Sequence, residues 1–224
     1  MQFVVTFFRS GGTMMFINLA VLVVTLAVIA ERAYSLNFRF RMNTKAFLAE
    51  IDKAIGAGNL QKAKKLCKDN HERVLARVVF AALNAASLGP DGMRNAIDES
   101  KAEVVPQFTK RINLLWPIAN IATLIGLVGT VFGLIEAFSA VGAVSAEQKA
   151  ALLTAGISHA MNNTAFGLMI ALVCMVAHLL LANVTKSISE DVEFASLRME
   201  NLLIRMMAER ARGGAATGST EGQA

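Results

Sequence analysis

Three stretches of this chain, about Thr13–Ala30, Trp116–Val141 and Leu152–Leu181, run for 18, 26 and 30 residues with almost no charge. A helix that crosses a bilayer needs about 20 mostly apolar residues, and a soluble core of ordinary size has no room for three such runs. The first carries no Lys, Arg, Asp or Glu, the second only Glu136, and the third none of the four, although it holds His159 and His178. With 54% hydrophobic and 17% charged residues, the chain is too apolar for an ordinary soluble domain. A cleaved signal sequence is the alternative for the first run, but no small-residue cleavage site precedes Glu31-Arg32.

Charge orients these spans. Between Phe38 and Arg111 there are 14 Lys and Arg against 8 Asp and Glu, whereas Arg9 is the one basic residue before span one and Lys149 the one basic residue between spans two and three. The positive-inside rule then puts Arg32, Arg39, Arg41, Lys110 and Arg111 in the cytoplasm. The expected fold is an all-α integral membrane protein with three transmembrane helices and long cytoplasmic helical extensions. Its expected parts are an outer N-terminal segment (1–12), transmembrane helix one (13–37), a cytoplasmic helical region (38–115) and transmembrane helix two (116–141). An outer loop (142–151), transmembrane helix three (152–184), a cytoplasmic helix (185–212) and a disordered tail (213–224) follow. The net charge of +5 is read as orientation and anionic-lipid contact; no aromatic-interleaved basic patch points to nucleic acid.

The cytoplasmic region reads as capped helices. Asn43-Thr44 starts one through Ile55, Gly56 to Gly58 break it, and Asn59 caps a basic helix through Lys68. An apolar helix over 72–87 puts Leu75, Val78, Val79, Ala82 and Leu83 on one face. Gly89-Pro90-Asp91-Gly92 is expected as a turn, with Asp91 capping a helix that leads through Lys101, Arg111 and Trp116 into span two, kinked at Pro106. Beyond span three, Val192, Phe194, Leu197, Leu202, Leu203 and Met206 suggest a partly amphipathic helix over 188–207.

Within span two, Thr123, Gly126, Thr130, Gly133, Ala137 and Ala140 are spaced 3, 4, 3, 4 and 3 apart, one stripe of a helix. Span three repeats the pattern in Ala160, Thr164, Gly167, Ala171, Cys174 and His178, with Asn163 beside it. Such stripes serve two ends. Gly129-xxx-Gly133 and its neighbours permit close helix packing, and hydroxyls at matching depth can line a polar path through an oligomer.

Chemistry of other kinds finds no support. Cys67 and Cys174 read as packing residues, and His71, His159 and His178 share no metal-ligand spacing, so neither a disulfide framework nor a metal or other cofactor is expected. No phosphate loop, nucleophile elbow or paired carboxylates suggest an enzyme. A solute transporter would show broken helices or internal repeats, and none is evident.

The run LIGLVGTVFGLIEAF, Leu124–Phe138, resembles the second-span signature of the MotA/TolQ/ExbB proton channel family, and GISHAMNNTAFGL, Gly156–Leu168, resembles its third-span signature. Glu31-Arg32 and LARVVFAAL, Leu75–Leu83, also resemble family positions, and the three-span order is closest to the ExbB/TolQ branch rather than to the four-span stators. The resemblance implies a homo-oligomer, a pentamer, in the bacterial inner membrane, N-terminus periplasmic and C-terminus cytoplasmic. It would enclose the helices of a dimeric, single-span ExbD/TolR-like partner, with a TonB/TolA-like envelope protein as a further partner. Proton flow would drive motion of the partner and force on the envelope. By position, Thr130 and Thr164 match the family's paired pore threonines. The chain departs in having His159 where the family often has Glu, Val173 where it has Pro, and Thr123 at the span-two Pro position.

Threonine hydroxyls do not titrate near neutral pH, so Thr130 and Thr164 can orient water but cannot carry the proton. The chain has no carboxylate at mid-membrane, and Glu136 lies towards the outer end of span two, about 240° round from Thr130 by helix geometry. Glu136 is read as an interfacial carboxylate or inter-subunit hydrogen bond, with a proton relay as the alternative. The titrating acid is therefore expected to be an Asp of the partner. His178, on the Thr164 stripe near the cytoplasmic end, could accept departing protons or simply bond to backbone or lipid. Glu31 and Arg32 anchor the end of span one, or pair between subunits. A scaffold that holds a partner without conducting is the competing function.

Overall fold

A computed structural model of the chain describes residues 12–40, 42–142 and 145–218. Among these the regular structure is helical throughout, without strands: α1 (Gly12–Tyr34), α2 (Thr44–Gly56), α3 (Leu60–Asp69), α4 (Val74–Ala85), α5 (Gly89–Thr109), α6 (Leu115–Val141) and α7 (Ala146–Gly218). Three helical stretches are long and apolar enough to cross a membrane: Met14–Asn37, Ile112–Val141 and a span within Gln148–Ala208. Most of the expected outer segment 1–12, residues 143 and 144 of the loop 142–151, and 219–224 of the tail lie outside the described residues. Residues 213–218, expected in the tail, have helical backbone as the end of α7.

The chain divides into two compact units. One comprises the described residues up to Ala33 together with Arg111–Ala182, thus most of α1, α6 and the first part of α7. Its outward faces are apolar, with Phe16, Val23 and Val24 on α1 and Leu124, Val131, Phe132 and Phe138 on α6 exposed, a surface suited to hydrocarbon. Inside it, Met15, Ala119, Ala122, Phe166, Ile170, Ala171 and Cys174 form a buried cluster.

The other unit comprises Tyr34–Lys110 and the described residues from Asn183. Asn43 and Asn59 cap α2 and α3, their side-chain oxygens accepting from Ala46 N at 3.2 Å and Lys62 N at 2.9 Å. These bonds satisfy backbone donors that the first helical turn leaves free. The apolar face expected on α4 is buried in full, and Phe47, Ile51, Met93, Val104 and Phe108 complete a core of large side chains. On α7 the buried face differs from the expectation. Ile188, Val192, Ala195, Met199 and Leu203 point inward at helical spacing, while Phe194 and Leu197 are 51% and 52% exposed. Spacings of 3 and 4 keep the first set on one stripe, and Phe194 and Leu197 fall off it. Lys101 donates to Glu193 at 2.7 Å, and Arg94 pairs with Glu200 and Arg198 with Asp52 on the flanks of that stripe.

Two boundaries depart from the expected ones. The Gly89–Gly92 run is the first turn of α5, with Leu88 as its cap residue and Asp91 inside the turn. Gly89 takes φ +83°, a conformation open to glycine, and Pro90 then has the backbone angle a helix start requires. Asp91 still favours the helix from there, through its charge near the N-terminal dipole. Nor does α5 run on into span two. It ends at Thr109, Arg111 adopts a left-handed φ of 69°, and a 3-10 turn, Ile112–Leu114, precedes α6. Pro117 explains the restart: it cannot donate to the carbonyl one turn back, and in the first turn of α6 no donor is needed there. A π-helical turn, Ser35–Phe40, follows α1 and was not legible from spacing.

Candidate functional site: a glycine crossing flanked by hydroxyls

The small-residue stripes of α6 and α7 meet, and glycine is what lets them. A Cβ added to Gly167 would lie 2.6 Å from the Ala122 carbonyl oxygen and 3.1 Å from Gly126 Cα, both rigid backbone. At Gly126 it would meet Asn163 O and Thr164 Cα at 3.1 and 3.2 Å, and at Gly133 the Cβ and Cα of Ala160 at 3.1 and 3.2 Å. Gly156 packs on Ala137, where the same construction gives 2.3 Å to a Cβ. Gly129 accommodates the Asn163 carboxamide, whose Nδ2 would be 2.0 Å from a Cβ there. Asn163 is buried.

Within the single chain these contacts put the packing role on Gly126, Gly129, Gly133 and Gly167. The hydroxyls sit beside them. Thr164 Oγ1 donates across the crossing to the Gly126 carbonyl at 3.0 Å. Thr130 Oγ1 donates to the Leu127 carbonyl of its own helix at 2.5 Å, and Thr123 Oγ1 to Ala119 at 3.0 Å. Carbonyl oxygens only accept, so each hydroxyl proton is committed to backbone, and what each Thr oxygen has left to offer is acceptor capacity. Thr130 and Thr164 are both only partly buried in the chain by itself.

At the end of the unit that holds Arg32 and Arg111, Glu31 joins two cations. Its carboxylate accepts from Arg32 Nη2 at 2.9 Å and from Arg111 Nη1 at 2.9 Å. Arg32 is only 6% exposed, so the pairing with Glu31 compensates a charge largely withdrawn from water. Glu31 is thus paired inside its own chain. Close by in sequence, the Ile112 carbonyl lies 3.1 Å from His178 Nδ1. The carbonyl requires Nδ1 to carry a proton, which leaves Nε2 as the acceptor of a neutral ring. Trp116 lies beside the imidazole, with ring centroids 6.4 Å apart and planes tilted by 57°. His159 and Glu136 are exposed on the chain's surface.

Two buried polar residues of α1 escaped the sequence reading. Thr25 Oγ1 donates to the Val21 carbonyl at 2.8 Å and accepts from the Cys174 thiol at 3.7 Å. Asn18 is 0% exposed, and neither its nitrogen nor its oxygen has a hydrogen-bond partner among the described residues. An amide moved into a medium that cannot hydrogen-bond loses about 4–8 kcal/mol. The available signal was a lone carboxamide in an otherwise apolar span.

A model of the MotA/TolQ/ExbB proton channel family matches residues 70–193, which take in both glycine-rich stripes. A biopolymer transport protein described as ExbB-like in Synechocystis sp. is 30% identical over 182 residues, covering 80% of this chain and 83% of that protein. An ExbB homologue of Methanothermobacter thermautotrophicus is 23% identical over 190 residues, 85% of this chain and 66% of its own length. The biopolymer transport protein exbB1 of Vibrio cholerae is 45% identical over a shorter stretch of 65 residues, 29% of this chain and 28% of that protein.

Proposed function

Because the chain belongs to the MotA/TolQ/ExbB proton channel family, we propose that this multi-pass membrane protein is the channel-forming subunit of a motor driven by the proton-motive force. In this reading five copies enclose the membrane helices of an ExbD/TolR-like dimer in the bacterial inner membrane. The N-terminus is periplasmic, and Glu31, Arg32 and Arg111 mark the cytoplasmic end. A TonB/TolA-like protein would receive the force.

The observation that carries the proposal is the bonding of the two threonines. With their protons given to Leu127 and Gly126 carbonyls, Thr130 and Thr164 offer oxygen lone pairs. A wall of acceptors suits a species that must donate, a protonated carboxyl or a hydrated proton, and gives no group that would trap it by ionising. The carrier is then an Asp of the partner, held in a channel whose helices pack glycine backbone against glycine backbone. Asn163 lies over Gly129 beside this wall, and Thr123, seven residues before Thr130, continues it about two turns towards the cytoplasm. His178, with Nε2 available, takes protons leaving on that side. Glu136 and His159 are surface groups of the single chain, placed to meet a neighbouring subunit or the outer interface.

The test is reconstitution of the chain with its partner in liposomes under an imposed pH gradient. Thr130→Val and Thr164→Val should each slow proton flux by about tenfold or more, the equivalent of roughly 1.4 kcal/mol on a barrier. Unchanged flux in both variants, with assembly intact, removes the threonine wall and leaves a scaffold that holds its partner.

A further inference from the structure

We propose that Arg111 and Trp116 bind the headgroup of an anionic phospholipid at the end of the membrane unit that holds Glu31 and Arg32, an assignment that rests on the chain's spanning a membrane and not on proton conduction.

The segment that carries both residues is tied to two other helices. Arg111 Nη1 donates to Glu31, in the last turn of α1, at 2.9 Å, and the Ile112 carbonyl meets His178 Nδ1 of α7 at 3.1 Å. Trp116, in the first turn of α6, lies beside the same imidazole with centroids 6.4 Å apart. Arg111 holds a left-handed φ of 69°, which is costly for a residue with a Cβ and persists where the surroundings fix it. A guanidinium is thus set at the edge of span two, which begins at Ile112.

Charge and donors are left over there. Arg32 and Arg111 share the carboxylate of Glu31, so the group carries one positive charge in excess. The other carboxylate described in this unit, Glu136, lies 20 residues beyond Trp116 on α6 and does not balance it. Among the described residues Arg111 gives a hydrogen bond from Nη1 alone, and its side chain is 49% exposed. The Trp116 indole N–H has no partner among them, and the residue is 52% exposed.

These leftovers select the ligand. An arginine fork matches phosphate oxygens with parallel charge-assisted bonds. An indole at a membrane boundary keeps its ring among acyl chains and its N–H among headgroups. Leu114 in the turn, and Leu179 and Leu180 next after His178, are exposed apolar side chains. A free phosphate would meet the charge and leave this apolar surface unused, whereas a phospholipid uses both. A zwitterionic lipid brings its own cation; an anionic one answers the excess charge.

Trp116 is the one tryptophan of the chain, so the fluorescence of the full-length protein reports on this site. In phosphatidylcholine vesicles, a minor fraction of phosphatidylglycerol brominated high in its acyl chains, which quenches an indole it touches, should quench Trp116 several-fold more than the same fraction of brominated phosphatidylcholine. Arg111→Gln should bring the two lipids level. Arg111→Lys, which can still pair with Glu31 but has no fork, should also lower the preference, and provides the comparison if the Gln variant does not fold. Lys110→Gln should keep it. Equal quenching by the two lipids in the wild type would overturn the proposal, as would a preference that survives in folded Arg111 variants or disappears equally in Lys110→Gln. Excess inorganic phosphate, compared with chloride at the same ionic strength, should leave the preference in place; its loss would assign the site to a free anion instead. Quenching by neither lipid would overturn the membrane placement itself.

Discussion

In the unit built from α1, α6 and the first part of α7, the helices cross with glycine backbone on glycine backbone, Gly126 against Gly167, with Asn163 laid over Gly129. In the unit built from α2 to α5 and the later part of α7, the interior is Phe47, Ile51, Leu83, Met93, Phe108 and Met199. We attribute the contrast to the solvent proposed for each, lipid around the first unit and water around the second. In water, burying large apolar side chains is worth about 25 cal/mol per Å² and rewards bulk. Between apolar helices in lipid that term vanishes, and close backbone approach with short hydrogen bonds takes its place. Hydroxyls and amides can sit in the second kind of interior, where they bond to exposed carbonyls as Thr164 does.

If that contrast is right, removing bulk should damage one unit and adding it the other. Phe108→Ala should cost about 3–5 kcal/mol, a buried aromatic lost from a filled core, read as a lowered thermal midpoint of the full-length protein. A loss of less than about 1 kcal/mol would mean that the core repacks and that large side chains are not what hold this unit. Gly167→Ala should cost about 1–3 kcal/mol from overpacking, offset by up to roughly 1 kcal/mol of helix propensity, because the new methyl meets the Ala122 carbonyl and Gly126 Cα. Gly129→Ala should cost less, since the Asn163 side chain it meets can turn aside. Equal effects at the two glycines would break the claim that backbone contact governs the crossing.

A smaller effect is expected where the fold is local. Asn59→Ala should remove about 1 kcal/mol by freeing the Lys62 amide, measured by chemical denaturation. Smaller still is the effect of Cys67, whose thiol burial pushes from an ordinary 9.0 up to about 12. Its folded pKa is raised, so its contribution is fully present below pH 9 and is lost as the pH rises towards 12. Alkylation of Cys67 at pH 8 should accordingly follow unfolding rather than thiol ionisation; fast labelling of the native protein would show a looser core than this one.

What could be read in advance follows the same division. The caps at Asn43 and Asn59 need only a few neighbouring residues, and the three spans need only their own length and lack of charge, so both were legible in the chain. The α4 face was legible because helical periodicity and burial coincide there. On α7 they do not coincide: apolar Phe194 and Leu197 stand outside the buried stripe, and composition alone cannot tell which apolar residues turn inward. The break at Lys110 and Arg111 depends on Pro117, six residues beyond Arg111, which a reading centred on Pro106 passed over. At the candidate site the glycine stripes and threonines were visible as a pattern. That Thr164 would bond to Gly126, Glu31 to Arg111, and Asn18 to nothing among the described residues depends on how separate helices meet, which no local spacing specifies.

The central claim is that the Thr164 oxygen, its proton held by the Gly126 carbonyl, accepts from the proton carrier. Proton flux through the reconstituted complex, compared between Thr164→Ser and Thr164→Val, tests it most directly, since serine keeps the oxygen and valine keeps the shape. The account predicts flux near wild type for serine and about tenfold lower or less for valine. Equal flux in the two variants would contradict it.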